Sequence, residues 1–241
     1  MKKHVFTLSP FPTGDRWSLR APELVHQMVR VLRLRTGEEI VFVDGSGGRV
    51  EAELVGYTDR TVDVRIHRAE RAEVQKEPAS NERRVVCFAI LKKDHVEWLV
   101  EKLAELGITD AIPLVTARTI KKEVRLDRLE AIAREAMEQS EQASLMRVHP
   151  PTDIAGAMRL LQRWGVSMAV CDTGQGLPLL THKQQGGKRI QALFVGPEGG
   201  WSPEERACFE QEYSCERVSL GSTILRGETA GIVAGYELVR G

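Results

Sequence analysis

From residue 85 onward short apolar runs alternate with stretches of helical spacing, and this alternation restricts the possible folds more than any other feature of the chain. Residues 85–91 are apolar throughout, as a strand buried on both faces would be. Asp94 is read as the cap of a helix in which Val96, Leu99, Val100 and Leu103 share one face until Gly107 ends it. A second strand is expected over 111–115. Asp127 is read as the cap of a second helix carrying Leu129, Ile132, Ala133, Ala136 and Met137. Ile154, Ala157, Met158 and Leu161 mark a third helix and residues 166–171 a third strand. Two more strands run up to Leu193 and Leu220. Strands and helices in strict alternation predict a parallel sheet with helices on both faces.

The last two strands each break into a glycine-bearing loop. Gln191-Ala192-Leu193-Phe194-Val195 stops at Gly196-Pro197-Glu198-Gly199-Gly200-Trp201. A helix should follow at once: Ser202 suits an N-cap, Pro203 needs no amide hydrogen in the first turn, and Glu205 completes a capping box. Val218-Ser219-Leu220 enters Gly221-Ser222-Thr223-Ile224-Leu225-Arg226-Gly227-Glu228-Thr229 before an apolar helix beginning near Ala230. Ligands of open α/β sheets sit beyond the carboxyl ends of the strands, where amides and helix N-termini are free. Glycines at 196, 199, 200, 221 and 227 would let backbone approach a ligand closely. For any single glycine an ordinary βα turn explains as much, but Glu198, Arg226 and Glu228 place charges on loops flanked by apolar strands, where site residues concentrate. The spacings match neither a Walker loop nor a dinucleotide fingerprint.

The first 72 residues have a different character. Residues 39–43 form a strand that breaks at Asp44-Gly45-Ser46-Gly47-Gly48, a hairpin signal. Val50, Ala52 and Leu54, then Val62, Val64 and Ile66, alternate with polar residues, so several short strands make a small barrel. Before them a short helix over 24–34 sets His26, Arg30, Arg33 and Arg35 beside apolar residues. A polar stretch over 73–84, with Pro78, Ser80 and Asn81, reads as a linker to the domain at 85–241. Lysine plus arginine equals aspartate plus glutamate at 34 each, which argues against nonspecific coating of nucleic acid while leaving room for a local basic patch. The start of the chain lacks a signal-peptide core and no apolar run approaches a membrane span, so a cytoplasmic protein without membrane contact is expected. Cys87, Cys171, Cys208 and Cys215 lack paired spacing and the histidines are scattered, so neither a disulfide framework nor a metal site is expected.

Gly196-Pro197-Glu198-Gly199-Gly200 with Ser202-Pro203-Glu204-Glu205 behind it, and Leu220-Gly221 leading to Ile224-Leu225-Arg226 and Glu228-Thr229-Ala230, resemble the signature blocks of the 16S ribosomal RNA uridine-N3 methyltransferases, the E-type small-subunit enzymes of the SPOUT class. Lys102-Leu103-Ala104-Glu105-Leu106-Gly107, Arg118-Thr119, Glu138-Gln139-Ser140 and Val31-Leu32-Arg33 before Gly37-Glu38 resemble further blocks, so the likeness covers nearly the whole chain. Three departures stand out: Glu141-Gln142 replace the family's glycine and arginine, Thr223 an arginine, and Gly227 a threonine.

The resemblance implies a C-terminal parallel-sheet SPOUT domain closed by a trefoil knot, which periodicity alone could not propose, and a small N-terminal PUA-like β-barrel domain that binds RNA. It implies S-adenosyl-L-methionine as cofactor, held by Leu193, Gly196, Pro197, Glu198, Gly199, Leu220, Gly221, Ser222, Ile224 and Leu225. Arg226 would orient the uridine and stabilise developing charge, and Glu228 would accept a proton or fix Arg226. For Arg226 the competing role is an ion pair with Glu198 or Glu228 that only holds the loops together. His26, Arg30, Arg33 and Arg118 would contact RNA. Trp201 is either a platform for the target base or part of the core. The partners implied are 16S rRNA or the small ribosomal subunit and a second copy of the chain, with the apolar helix after Ala230 available for the dimer. Two competitors remain: an RNA-binding protein of this fold without activity, and a nucleotide-dependent enzyme of another α/β family.

Overall fold

The computed structural model describes residues 4–8, 10, 14–45, 47–70, 78–120, 123–174, 177–180, 184–185 and 188–240. The chain forms two compact units, residues 1–76 with 137–145, and residues 77–136 with 146–241.

In the first unit β1 (His4–Thr7), β2 (Arg16–Leu19), β3 (Glu39–Val43), β4 (Arg49–Tyr57) and β5 (Val62–Glu70) form one sheet in the order β1-β3-β4-β5-β2. Only β1 and β3 run parallel. The alternation read in β4 is the burial pattern observed, with Val50, Ala52 and Leu54 inward. Phe6, Leu19, Phe42, Leu54 and Val64 reach one core from all five strands, so the sheet curls around it as a PUA-like barrel. The β3–β4 turn takes the expected glycines: Gly45 and Gly47 have φ of +76° and +98°, and the Asp44 carboxylate accepts from the Gly48 amide at 2.9 Å. Helix α1 (Pro22–His26) continues as a π-turn over Gln27–Val31 and buries Val25 and Met28 in the same core.

The expected division at 73–84 omits one segment. Residues 137–145 belong with the first unit, where Met137 packs on Val5, Val41 and Val43 and the Glu138 carboxylate accepts from the Thr7 amide at 2.9 Å. Residues 73–77 of the expected linker lie outside the described residues. Its remainder is folded, with Ser80–Glu82 forming a 3-10 turn whose Ser80 hydroxyl donates to the Gly165 carbonyl at 3.2 Å.

The second unit is built on six parallel strands in the order β13-β9-β12-β6-β7-β8. They are β6 (Val85–Ala89), β7 (Asp110–Leu114), β8 (Arg147–Val148), β9 (Met168–Cys171), β12 (Ala192–Val195) and β13 (Glu216–Val218). A two-residue hairpin, β10 (Gln184–Gln185) with β11 (Lys188–Arg189), stands apart. One sheet face carries Cys87, Ile112, Val170 and Phe194 under α4 (Ile154–Trp164) and Phe209, which sits in the π-turn (Cys208–Glu212) that continues α5 (Pro203–Ala207). The alternate residues point to the opposite face, where α6 (Gly227–Arg240) packs along α2 (Lys93–Glu105), β6 and β12. This close approach explains the glycines of α6: a Cβ on Gly227, Gly231 or Gly235 would lie 2.6–2.7 Å from Leu91, Leu99 or Leu103.

Two expected caps fall elsewhere. Helix α2 begins at Lys93 with no side-chain cap, which puts Asp94 inside the first turn. Helix α3 (Leu126–Gln139) likewise has Asp127 inside its first turn. Both acids still complement the helix dipole there. The caps of α4 and α5 form fully: Asp153 accepts from the Gly156 amide at 2.7 Å, and Ser202 and Glu205 make the reciprocal capping box.

From edge strand β13 the chain crosses back over β9 and β12, bringing the first turn of α6 against Leu91 beyond the end of β6. Such a recrossing is what a knotted C-terminal segment requires.

Candidate cofactor and catalytic site

The two glycine-bearing bends leave the sheet at the same level. Val195 and Val218, the last residues of β12 and β13, both pair with Cys171 of the strand between them. At ~4.8 Å per strand the bends start about 10 Å apart, a separation that a nucleoside spans. The segment 219–226 then passes over the carboxyl ends of β9 and β12, and Glu228 meets His95 on the far side. The second bend thus runs from the end of β13 to the start of α2.

The first bend is tightened by the Gly200 amide donating to the Pro197 carbonyl at 2.8 Å, with Gly200 at φ +69°. Pro197 is buried, Gly196 half-buried, and Glu198 and Gly199 exposed. Leu193 lies within β12 and is fully covered, so it is not part of the bend. In the second bend Ser219 is anchored by the Pro178 carbonyl and by Leu180, and its hydroxyl spans both polar groups of Gly221. Gly221 has φ +151°, a backbone state that side chains avoid. Leu220 and Leu225 are half-buried, while Ser222, Thr223 and Ile224 are exposed, Ile224 at 86%. Among the described residues the amides of 222–225 have no protein acceptor.

Trp201 belongs to the core and is no base platform. It is 1% exposed, stands edge-on to Phe209 at 4.9 Å between centroids, and donates its indole N–H to the Cys171 carbonyl at 3.0 Å. A Cβ on Gly196 would lie 3.0 Å from the indole, so packing accounts for that glycine without a ligand. Arg118 reaches this bend and donates to the Gly199 carbonyl. The neighbouring Ala117 amide donates to Glu205 at 2.7 Å, tying the turn after β7 to the capping box of α5.

Arg226 is exposed and makes no ion pair among the described residues, and neither does Glu198. The loop-holding pair of Arg226 with Glu198 or Glu228 is therefore absent. Glu228 is 6% exposed, and its Oε2 sits 3.2 Å from Nδ1 of His95. The two atoms are close enough for ionic attraction but not aligned for a hydrogen bond, so both remain without a hydrogen-bond partner. Glu228 thus faces His95 and does not fix Arg226. Sequence reading missed His95, whose position six residues past the end of β6, in the first turn of α2, carries no motif of its own. It also missed Asp172, which follows β9 and accepts from Arg206 of α5 at 2.9 Å and from Arg217 of β13 at 3.0 Å. Burial alone would raise the Asp172 carboxyl. The Arg206 hydrogen bond, the Thr173 amide and the two guanidinium charges hold it below the usual range instead. Asp172 therefore stays ionised and clamps the elements that flank the bends.

The departure at Gly227 has a steric cause, since Leu91 occupies the place of a side chain there. Thr223 is exposed, and nothing in the structure explains it. In the first unit His26, Arg30 and Arg33 are all exposed, Arg33 at φ +54°. Arg30 is engaged by Asp59 at 2.6 Å, a solvent-exposed pair of little energetic weight.

The fold is a parallel α/β domain whose last two strands end level with one another in glycine-bearing bends, accompanied by a small PUA-like barrel. Residues 78–237 match the family model of the RNA methyltransferase domain and residues 22–66 that of the RNA methyltransferase PUA domain. The chain belongs to this RNA methyltransferase family. It is 31% identical over 214 residues to the ribosomal RNA small subunit methyltransferase E of Synechocystis sp. (strain ATCC 27184 / PCC 6803 / Kazusa), covering 87% of this chain and 68% of that protein. The protein of the same description from Rickettsia conorii is 26% identical over 230 residues, covering 95% and 92%. The crystal structure of the Neisseria gonorrhoeae ribosomal RNA small subunit methyltransferase E bound to S-adenosyl methionine superposes with a TM-score of 0.79 at 25% identity, over 97% of this chain and 95% of that one.

Proposed function

We propose that the protein is an S-adenosylmethionine-dependent methyltransferase of small-subunit ribosomal RNA, acting on N3 of a specific uridine in 16S rRNA. The observation that carries this reading is the register of β12, β9 and β13, which launches both bends at one level and lays the segment 219–226 across them. The region suits an adenosine-bearing ligand: the unengaged amides of 222–225 offer donors to an adenine edge, Ile224 and Leu225 offer apolar walls, and Gly221 keeps the bend open. The cofactor supplies, when bound, a methyl group activated on a sulfonium.

N3 lies on the Watson-Crick edge, so the target base must leave any stack or pair before it can react. With the cofactor bound, N3 would accept the methyl group and would have to give up its proton to a base of this chain. Orientation of the two reactants is the larger contribution, worth up to ~7–11 kcal/mol in well-aligned systems. Arg226, exposed and uncommitted, orients the uridine and stabilises the negative charge that appears as N3–H is lost. Glu228, with one unpartnered oxygen facing His95 at the end of the second bend, receives the proton. Arg118 is steered by the Gly199 carbonyl to the rim, and with His26, Arg30 and Arg33 of the barrel it meets RNA phosphates.

The protein acts as a homodimer in the cytoplasm: Trp98 of α2 and Tyr236 of α6 are large exposed aromatics on two helices that pack together, an apolar surface suited to a second copy. Among the described residues no helix is long and apolar enough to cross a membrane.

Calorimetric titration of S-adenosylmethionine, paired with labelling of 16S RNA from labelled cofactor, tests these assignments. Wild type and Arg226→Ala should bind cofactor alike, and only wild type should label RNA. No heat at millimolar cofactor, together with no labelling, would favour the inactive RNA-binding protein of the same fold.

A further inference from the structure

At the sheet edge opposite β13, the second unit has a cavity of about 250 Å³ between the β7–β8 end and α4. Its polar wall is His149, Thr152, Arg159 and Arg163, and its apolar wall includes Ile112 and Leu160. Arg159 and Arg163 are four apart on α4, hence on one side of the helix, and both are exposed with no ion pair among the described residues. No acidic side chain lines the cavity. Asp153, the N-cap of α4, does not line the cavity and accepts from the Gly156 amide at 2.7 Å.

The imidazole of His149 is fixed from behind. Its Nε2 meets Asp110 at 2.9 Å and its ring lies against Trp164 at 5.5 Å, leaving Nδ1 as the ring's other polar atom. Asp110 also accepts from Arg83 at 3.0 Å and from the Thr109 hydroxyl at 2.8 Å, so the charges of Asp110 and Arg83 cancel beneath the cavity floor. The two arginines remain as a double positive charge with no ion-pair partner among the described residues, beside a positioned ring and a hydroxyl. Two cations in a concave site with apolar sides suit a phosphate carrying a sugar, a combination that a nucleic-acid backbone supplies.

We propose that this cavity is a phosphodiester subsite for the backbone of the substrate RNA, outside the nucleotide that is methylated. The assignment to RNA rests on the reading given under Proposed function, but occupancy by a phosphate does not. It predicts that the second unit contacts RNA through α4 as well as through the modification site.

The test follows the His149 ring resonances in the intact protein during titration with inorganic phosphate and with a short single-stranded RNA, in wild type and in the double variant Arg159→Gln, Arg163→Gln. The RNA should shift His149 saturably in wild type and not in the variant. In parallel, the salt dependence of 16S RNA affinity should lose a slope of about 1 to 2 in the variant, as removal of one or two phosphate contacts requires. Cofactor affinity and thermal midpoint should stay unchanged, showing that the variant is folded. A His149 signal unmoved by both titrants, or an unchanged slope, overturns the proposal. A response to inorganic phosphate but not to RNA would overturn the RNA assignment in favour of a small-anion site. Labelling of 16S RNA with an unchanged slope would sink this inference alone, whereas an RNA response at His149 without any labelling would sink the methyl-transfer reading and leave the subsite standing.

Discussion

Replacing Trp201 separates a structural role from a base-stacking role. The indole is buried, edge-on to Phe209, and bonded to the Cys171 carbonyl at the strand end between the two bends. Trp201→Phe keeps an aromatic ring but deletes the indole N–H, leaving a buried carbonyl short of a donor at about 1–3 kcal/mol. Trp201→Ala also opens a cavity and should cost about 3–5 kcal/mol. Urea unfolding gives the stability change, and single-turnover methylation at saturating RNA and cofactor gives the rate. The phenylalanine variant should unfold at lower urea while transferring methyl groups within a few-fold of wild type at 20 °C. A stability loss under about 0.5 kcal/mol together with a rate loss above 100-fold would refute the core assignment, because a side chain stacked on the target base would behave that way.

Asp110→Ala removes the carboxylate that pairs with the buried Arg83 guanidinium at 3.0 Å and should cost about 3–5 kcal/mol at pH 7 by urea unfolding. Burial alone would raise the Asp110 carboxyl, but hydrogen bonds from His149 and Thr109 and the Arg83 charge hold it below its ordinary value. Its contribution is therefore complete above the unfolded value near ~3.9 and fades as pH falls through the lower folded value, so the gap between wild type and variant should narrow below about pH 4. Gly221→Ala meets no atom within 4 Å, so its cost is purely conformational. If the free bend relaxes to escape about 1–3 kcal/mol of backbone strain and must return to this conformation on binding, cofactor affinity should fall roughly 5- to 100-fold with the thermal midpoint unchanged; a lowered midpoint with unchanged affinity would show the strain held in the free protein. Glu228→Gln should slow single-turnover transfer by about 10²- to 10⁴-fold while cofactor affinity holds; an unchanged rate would remove Glu228 from proton transfer.

The strand and helix order of the second unit was readable because its strands are covered on both faces and its helices on one, which leaves uninterrupted apolar runs beside 3.6-residue spacing. The capping box at Ser202 was readable for a local reason, since four residues contain the whole interaction. Strand β8 was not, because two residues carry no periodicity. Nor was the attachment of residues 137–145 to the first unit, which depends on Met137 meeting Val5 and Val41 far away in sequence. The same limit hid the site's tertiary partners. Glu228 could be singled out by its loop, but that it faces His95 rather than Arg226 depends on α6 lying across α2. The glycines show both outcomes: Gly221 is open as a ligand-admitting bend should be, whereas Gly196 and Gly227 are glycine because Trp201 and Leu91 need the space.

Mass-spectrometric nucleoside mapping of 16S RNA after incubation with this protein and labelled S-adenosylmethionine tests the central claim most directly. The account predicts labelled N3-methyluridine at a single position in the wild-type reaction and none with Arg226→Ala. Label on a ribose hydroxyl, on another base, or at an undiminished level with the variant would contradict it.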